Sequence, residues 1–329
     1  MPNITLATLC LMATLQAATP AAQAQSPAQG VAYISSEKDH ALTLLDLKTQ
    51  AVVGTIATCK RPRHLQRAPD GKTLWVACAD SQQADVIDLA TRRSLRRVAL
   101  GEGPEIFDFA ADGKTLYVSN EEDAELGIID TITSKRVRAV KVGGEPEGVK
   151  LAPDGKLVYV TSEVAGMVHA VDPVAGKVLH HIKVGKRPRR IAITPDGSQL
   201  WVSNELDASV SIIDTRSHTV THTLAFEIKG ARRSDITPVA LLFSADGRRA
   251  FVTLGRANHV AFVDVATRRV QQLVLVGHRA WGLALDQAGQ TLYVVNGLSD
   301  DLSIVDVASA KALKTVKVGR VPHSVVLVE

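Results

Sequence analysis

Between Glu145 and Gly185 the apolar positions fall into four short runs, each closed by polar, glycine or aspartate residues. The first run, Gly148 to Ala152, stops at "PDGK"; "LVYVTS", "MVHAVD" and "KVLHHIKV" follow. Runs this short, rich in β-branched and aromatic residues and bounded by turn formers, predict strands. An Asp-Gly pair between the first two predicts a tight hairpin in which glycine supplies a positive φ. The stretch therefore predicts four antiparallel strands in sequence order.

The unit recurs along the chain. The aspartate closing the third run stands at Asp46, Asp88, Asp130, Asp172, Asp214, Asp264 and Asp306, at intervals of 42 residues except one of 50. The long interval places an eight-residue insertion within Phe226 to Thr237. Seven units of this period predict a radial array of four-stranded sheets. The first unit opens on a second-strand sequence, "AYISSE" at Ala32, and the last strand sequence, "VPHSVVLV" at Val321, is of the first-strand kind. Pairing of the C-terminal strand with the N-terminal strands completes the split unit, closes the ring and removes open edges. The fold class is thus all-β, a seven-bladed β-propeller of four-stranded antiparallel blades, with residues 32–329 as one domain.

Ahead of the first strand, the apolar stretch and the small-x-small pattern Ala22-Gln23-Ala24 read as a signal peptide over 1–24, with 25–31 as a disordered mature N-terminus. The expected location is the periplasm, with no membrane span. Lys and Arg number 38 against 34 acidic residues, a net charge of +4 spread along the chain. This mixture, with only 4% aromatic residues, argues against nucleic-acid binding, which needs clustered cations and stacking rings. Cys59 and Cys78 remain after cleavage, enough for a single bridge. Strand pairing brings Cys78 nearer to Arg63, in the inner strand of the same blade, than to Cys59, and spacing alone leaves the bridge open.

The strand-closing aspartates recur with the framework, so they read as turn caps that bond their own backbone, not as a carboxylate array. Chemistry is sought instead where the repeat is broken. In a blade, the start of the inner strand and the loop between the second and third strands share one face around the channel. There the sequence gives "RPR" at Arg61 to Arg63, "GPE" ending at Glu105, "EPE" from Glu145 to Glu147 and "RPR" from Arg187 to Arg189. "TPV", "RAW" at Arg279 to Trp281 and "VPH" ending at His323 complete the circuit, and Glu205 and Arg256 come from the adjoining loops. Two readings stand for this polarised mouth: recognition of a charged small molecule or partner, or mutual neutralisation of neighbouring Arg and Glu. An acidic arc is expected opposite a basic arc of Arg256, Arg279, Arg320 and His323. Trp281 is the one large aromatic in its column, read either as an indole exposed for ligand stacking or as packing of the funnel.

No HExxH, CxxCH, GxSxG elbow or glycine-rich phosphate loop occurs. No catalytic residue, metal or cofactor is assigned on this basis.

The phrases "KTLWVACAD", "KTLYVSNEED", "KLVYVTSE", "QLWVSNELD" and "QTLYVVNG", with runs such as "VSIIDT", resemble the YVTN-repeat β-propellers. The order "KRPR … GPEIF … EPEGV … FEIKGARR … TLGRANHV … VVNGLSDDLSIVD" is similar to the secreted PQQ-dependent catabolism-associated β-propeller proteins. That resemblance implies a periplasmic compartment and an association with quinone-dependent alcohol oxidation. A quinoprotein dehydrogenase or a transport component is the implied partner. The expected function is non-catalytic binding or docking at the mouth. Because some seven-bladed relatives hydrolyse lactones, a lactonase-like hydrolase is the alternative.

Overall fold

In the computed structural model the hairpins predicted from the Asp-Gly turns form, with Gly71, Gly113, Gly155, Gly197 and Gly247 at positive φ. The structure describes Met1 and residues 30–329. Seven four-stranded antiparallel sheets result, one for each repeat. The blade that closes the ring, blade one, joins Pro322–Val328 to Val31–Ser36, Ala41–Asp46 and Ala51–Ala57. The inner strands of blades two to seven begin at Pro62, Pro104, Pro146, Pro188, Pro238 and Ala280. Strand structure begins at Val31, one residue ahead of the predicted start and inside the segment read as disordered. The leader and its cleavage site lie outside the described residues. No helix of the described residues is long and apolar enough to cross a membrane.

Side-chain alternation explains the packing. Second and third strands are buried on both faces, and their apolar residues meet those of the next blade. Trp201, Val210 and Ile212 of blade five, for example, pack against Leu241, Val252 and Val263 of blade six. Fourth strands lie on the outside and are exposed except near their ends, at Val98, Val140, Ile182, Leu224 and Val274. Each closing aspartate caps its turn: Asp46 accepts the Thr49 amide at 2.6 Å and Asp214 the Ser217 amide at 2.8 Å. Asp88, Asp130, Asp172, Asp264 and Asp306 repeat the contact.

Two features of the inner strands set up the channel. The residue ahead of the strand is left-handed in six blades, at Arg61, Gly103, Glu145, Arg187, Arg279 and Val321. Each inner strand then breaks register with its neighbour after its first residue, as between Pro62 and Leu65. The break leaves the second and third residues outside the regular ladder, free to turn towards the channel.

A hydroxyl from each of five second strands fills the gap. Ser203 Oγ accepts the Arg190 amide of its own blade at 3.0 Å and donates to the Val239 carbonyl of the next at 2.6 Å. Ser35, Ser119, Thr161 and Thr253 likewise donate to the carbonyls of Arg63, Glu147, Arg189 and Trp281. Ala77 and Val295 stand at the two remaining positions and have no hydroxyl to donate. Inner strands approach closely elsewhere too: a Cβ at Gly148 would run into the carbonyl of Arg189.

Candidate functional site

The second residues of the seven inner strands form one ring: Arg63, Glu105, Glu147, Arg189, Val239, Trp281 and His323. All are at most 8% exposed, so the ring is a plug rather than an open mouth. Arg63 pairs with Glu105, and Arg189 with Glu163; Arg189 also lies 3.3 Å from Glu147 and 3.7 Å from Glu205. Arg61 bonds Glu37 at 3.1 Å, and Arg187 bonds Glu163 at 2.6 Å. The neutralisation reading therefore holds for these residues, and no separate acidic and basic arcs form. Arg320 is paired with Asp39 at 2.6 Å and His323 is buried, which corrects the basic arc expected for them. Glu145 and Arg256 are exposed on the same face. The insertion folds onto blade five, where Arg233 donates to the Asp207 carbonyl at 2.8 Å.

Trp281 is not an exposed indole. It is 8% exposed, covered by the Arg279 guanidinium at 4.5 Å and flanked by that of Arg189 at 5.3 Å. The register break after Ala280 turns the ring inward, and Arg279 closes over its face. The disulfide that the sequence left open is formed: Cys59 and Cys78 are bridged, with Cα atoms 5.7 Å apart.

Charge in the plug is distributed unevenly. Burial and the neighbouring Glu147 charge push Glu105 well above the usual carboxylate range. Burial also opposes ionisation of Glu147, but Arg189, Arg190 and Arg63 outweigh it and bring Glu147 down to about 2. The same cluster thus shifts its two neighbouring carboxylates in opposite directions. Burial raises Glu163 as well, against the attraction of Arg189 and Arg187. His323 is held neutral by burial and by Arg63, Arg190 and Arg189. Its Nε2 accepts from Arg63 at 3.4 Å and Arg190 at 3.3 Å, leaving Nδ1–H for Ser324 Oγ at 3.0 Å.

Behind the plug lies a cavity of about 320 Å³, lined by the third to fifth residues of the inner strands together with Trp281 and His323. The ring closes one end. At the other, Gln66 and Lys150 are partly exposed, so the cavity opens on the face of the Asp-Gly hairpins. Its walls include Leu65, Ile106, Phe107 and Val149. Asp108 is fully engaged: it accepts from Lys150 at 2.9 Å, Gln66 at 2.8 Å and the amides of Phe109 and Leu151. Arg190, the one charged residue in the third-position column, lies 3.4 Å from Glu147 and is 12% exposed. Burial, with Arg189 and Arg63, lowers its pKa to about 10, so it stays cationic at neutral pH.

Arg190, His64, Gln66 and the hydroxyl ladder were not singled out from sequence. Reading the third inner-strand column as the second was read shows Arg190 among His64, Ile106, Gly148, Ala240, Gly282 and Ser324.

This architecture, seven four-stranded blades in a ring closed by the C-terminal strand, defines the class: a seven-bladed β-propeller. The chain belongs to the Choice-of-anchor I domain family, whose model matches residues 122–294. Solved structures share the fold. The periplasmic gluconolactonase of Pseudomonas aeruginosa is 21% identical with a TM-score of 0.78, over 92% of this chain and 99% of that one. Hydrazine synthase of Kuenenia stuttgartiensis is 22% identical with a TM-score of 0.76, over 84% and 92%. No curated protein matches the chain.

Proposed function

We propose that this is a non-catalytic binding propeller of the periplasm, of the YVTN-repeat, PQQ-associated kind, with residues 1–24 as a cleaved leader. Its small-molecule ligand occupies the channel behind the plug and belongs to quinone-dependent alcohol catabolism. The observation that carries this reading is the cavity itself: closed at one end, open at the other, apolar-walled and within the size range of small-molecule sites. The Cys59–Cys78 bridge supports an oxidising compartment. Arg256 and Arg279 on the plug face suit docking of an acidic patch on a quinoprotein dehydrogenase or a transport component.

A lactonase-like activity is the second reading, favoured by neutral His323 and by Ser324 in the cavity lining. Against it, Nε2 of His323 already accepts from two arginines, and Glu147 is tied to Arg189 and Arg190. Neither group is free to take a proton from water. Calorimetry of the purified mature chain against alcohols, aldehydes, acids and quinone cofactor of the pathway should show saturable binding without turnover. Hydrolysis of lactones that is abolished by His323→Ala would replace binding with catalysis.

A further inference from the structure

Four polar atoms on cavity-lining residues are shut off from solvent and have no hydrogen-bond partner among the described residues. They are Arg190 Nη1, Trp281 Nε1, His64 Nε2 and Gln66 Oε1. Buried polar groups are nearly always paired, and four orphans around one cavity mark a place where something else supplies the partners. The first two are obligate donors. Gln66 Oε1 is an acceptor, since the Gln66 amide nitrogen donates to Asp108 at 2.8 Å.

Charged side chains line the cavity at its two ends, Arg190 at the plug and Lys150 with Asp108 at the opening. Arg63, Arg189 and Arg190 converge on the plug side of the cavity, facing Glu147 and Glu105. Glu163 and Glu205 are shared between Arg189 and Arg187. At the open end Lys150 and Asp108 cancel. Of the charged residues that line the cavity, Arg190 alone is left uncancelled there, at the closed end beside the unpartnered Trp281 donor.

We infer that the cavity takes a small organic carboxylate, its anionic end towards Arg190 and Trp281 and a hydroxyl of its body towards Gln66. This rests on the binding reading above and names the ligand class. At about 30 Å³ per water, the volume matches roughly ten waters, enough for an acid of that many non-hydrogen atoms. The apolar walls suit a short carbon chain.

The test uses the mature chain and matched probe pairs: acetate with ethanol, glycolate with ethylene glycol, and butyrate with butanol. Titration calorimetry at neutral pH should show saturable binding of at least one acid, at least tenfold tighter than its alcohol. Arg190→Met should weaken that binding at least tenfold. Trp281→Phe, which keeps a ring and removes the Nε1 donor, should weaken it about threefold, and covers the case in which Arg190→Met fails to fold. Arg232→Met, in the exposed insertion, should leave it unchanged. Alcohols binding as tightly as their acids, or acid binding indifferent to both cavity variants, would overturn the carboxylate assignment and leave the binding reading standing. Absence of binding by every probe and every pathway compound would overturn both.

Discussion

Adjacent residues of the same inner strands, the second and the third, build two levels of one channel that treat charge in opposite ways. At the level of the plug, Arg189 is surrounded by Glu147, Glu163 and Glu205, and Arg63 by Glu105 and Glu37, so charges are matched there even where Arg189 Nε and single oxygens of Glu105, Glu147 and Glu205 make no hydrogen bond. One residue further on, Arg190 reaches Glu147 and His323 but keeps an unpaired Nη1, and His64 keeps an unpaired Nε2. A buried charge with partners holds the ring in one arrangement; a buried donor without one is available to a ligand. Residue type alone does not separate the two, since arginine serves at both levels.

The largest effect that would break this contrast comes from Arg189→Met. Loss of the central cation leaves three buried carboxylates short of a partner, and should cost about 3–5 kcal/mol in urea unfolding. Arg190→Met should cost about 1 kcal/mol, because Glu147 retains Arg189. Equal losses would erase the distinction between plug and cavity.

A smaller effect comes from the ladder that holds both levels in register. Ser203→Ala strands the Arg190 amide and the Val239 carbonyl, and should lower stability by about 2 kcal/mol. The same measurement on an exposed hydroxyl, Ser217→Ala at a turn, should give a smaller loss.

The smallest effect is in pH dependence. Burial, with the charge of Arg190, lowers His64 from 6.5 to about 3. Below pH 6.5 the unfolded chain takes up a proton that the folded chain refuses. The contribution of neutral His64 is thus whole above pH 6.5 and is lost as pH falls towards 3, at about 1.4 kcal/mol per pH unit. Urea unfolding at pH 7, 6 and 5 should show His64→Gln with a shallower decline than the wild type. Identical slopes would mean that His64 is not held neutral.

The architecture was legible in the sequence because its signals are local and repeated: Asp-Gly turns, strand-closing aspartates and a constant interval. Ring closure was legible from the split unit at the two ends. The plug residues were legible as a column of broken repeats, but their burial was not. Alternation predicts which way a side chain points only while the ladder is regular, and each inner strand leaves the ladder where those residues sit. That is why Trp281 was open to reading as an exposed ring. The Cys59–Cys78 bridge was hidden for a related reason: it depends on how the loop before Pro62 approaches the end of the second strand, a distance no spacing encodes.

The strand that completes blade one comes from the opposite end of the repeat array to its three partners, and it carries His323 and Ser324 into both levels of the channel. Neither the plug nor the cavity is whole until residues 322–328 have been made and have docked on strands formed some three hundred residues earlier. A chain cut ahead of residue 322 would lack one wall of the cavity and one member of the ring.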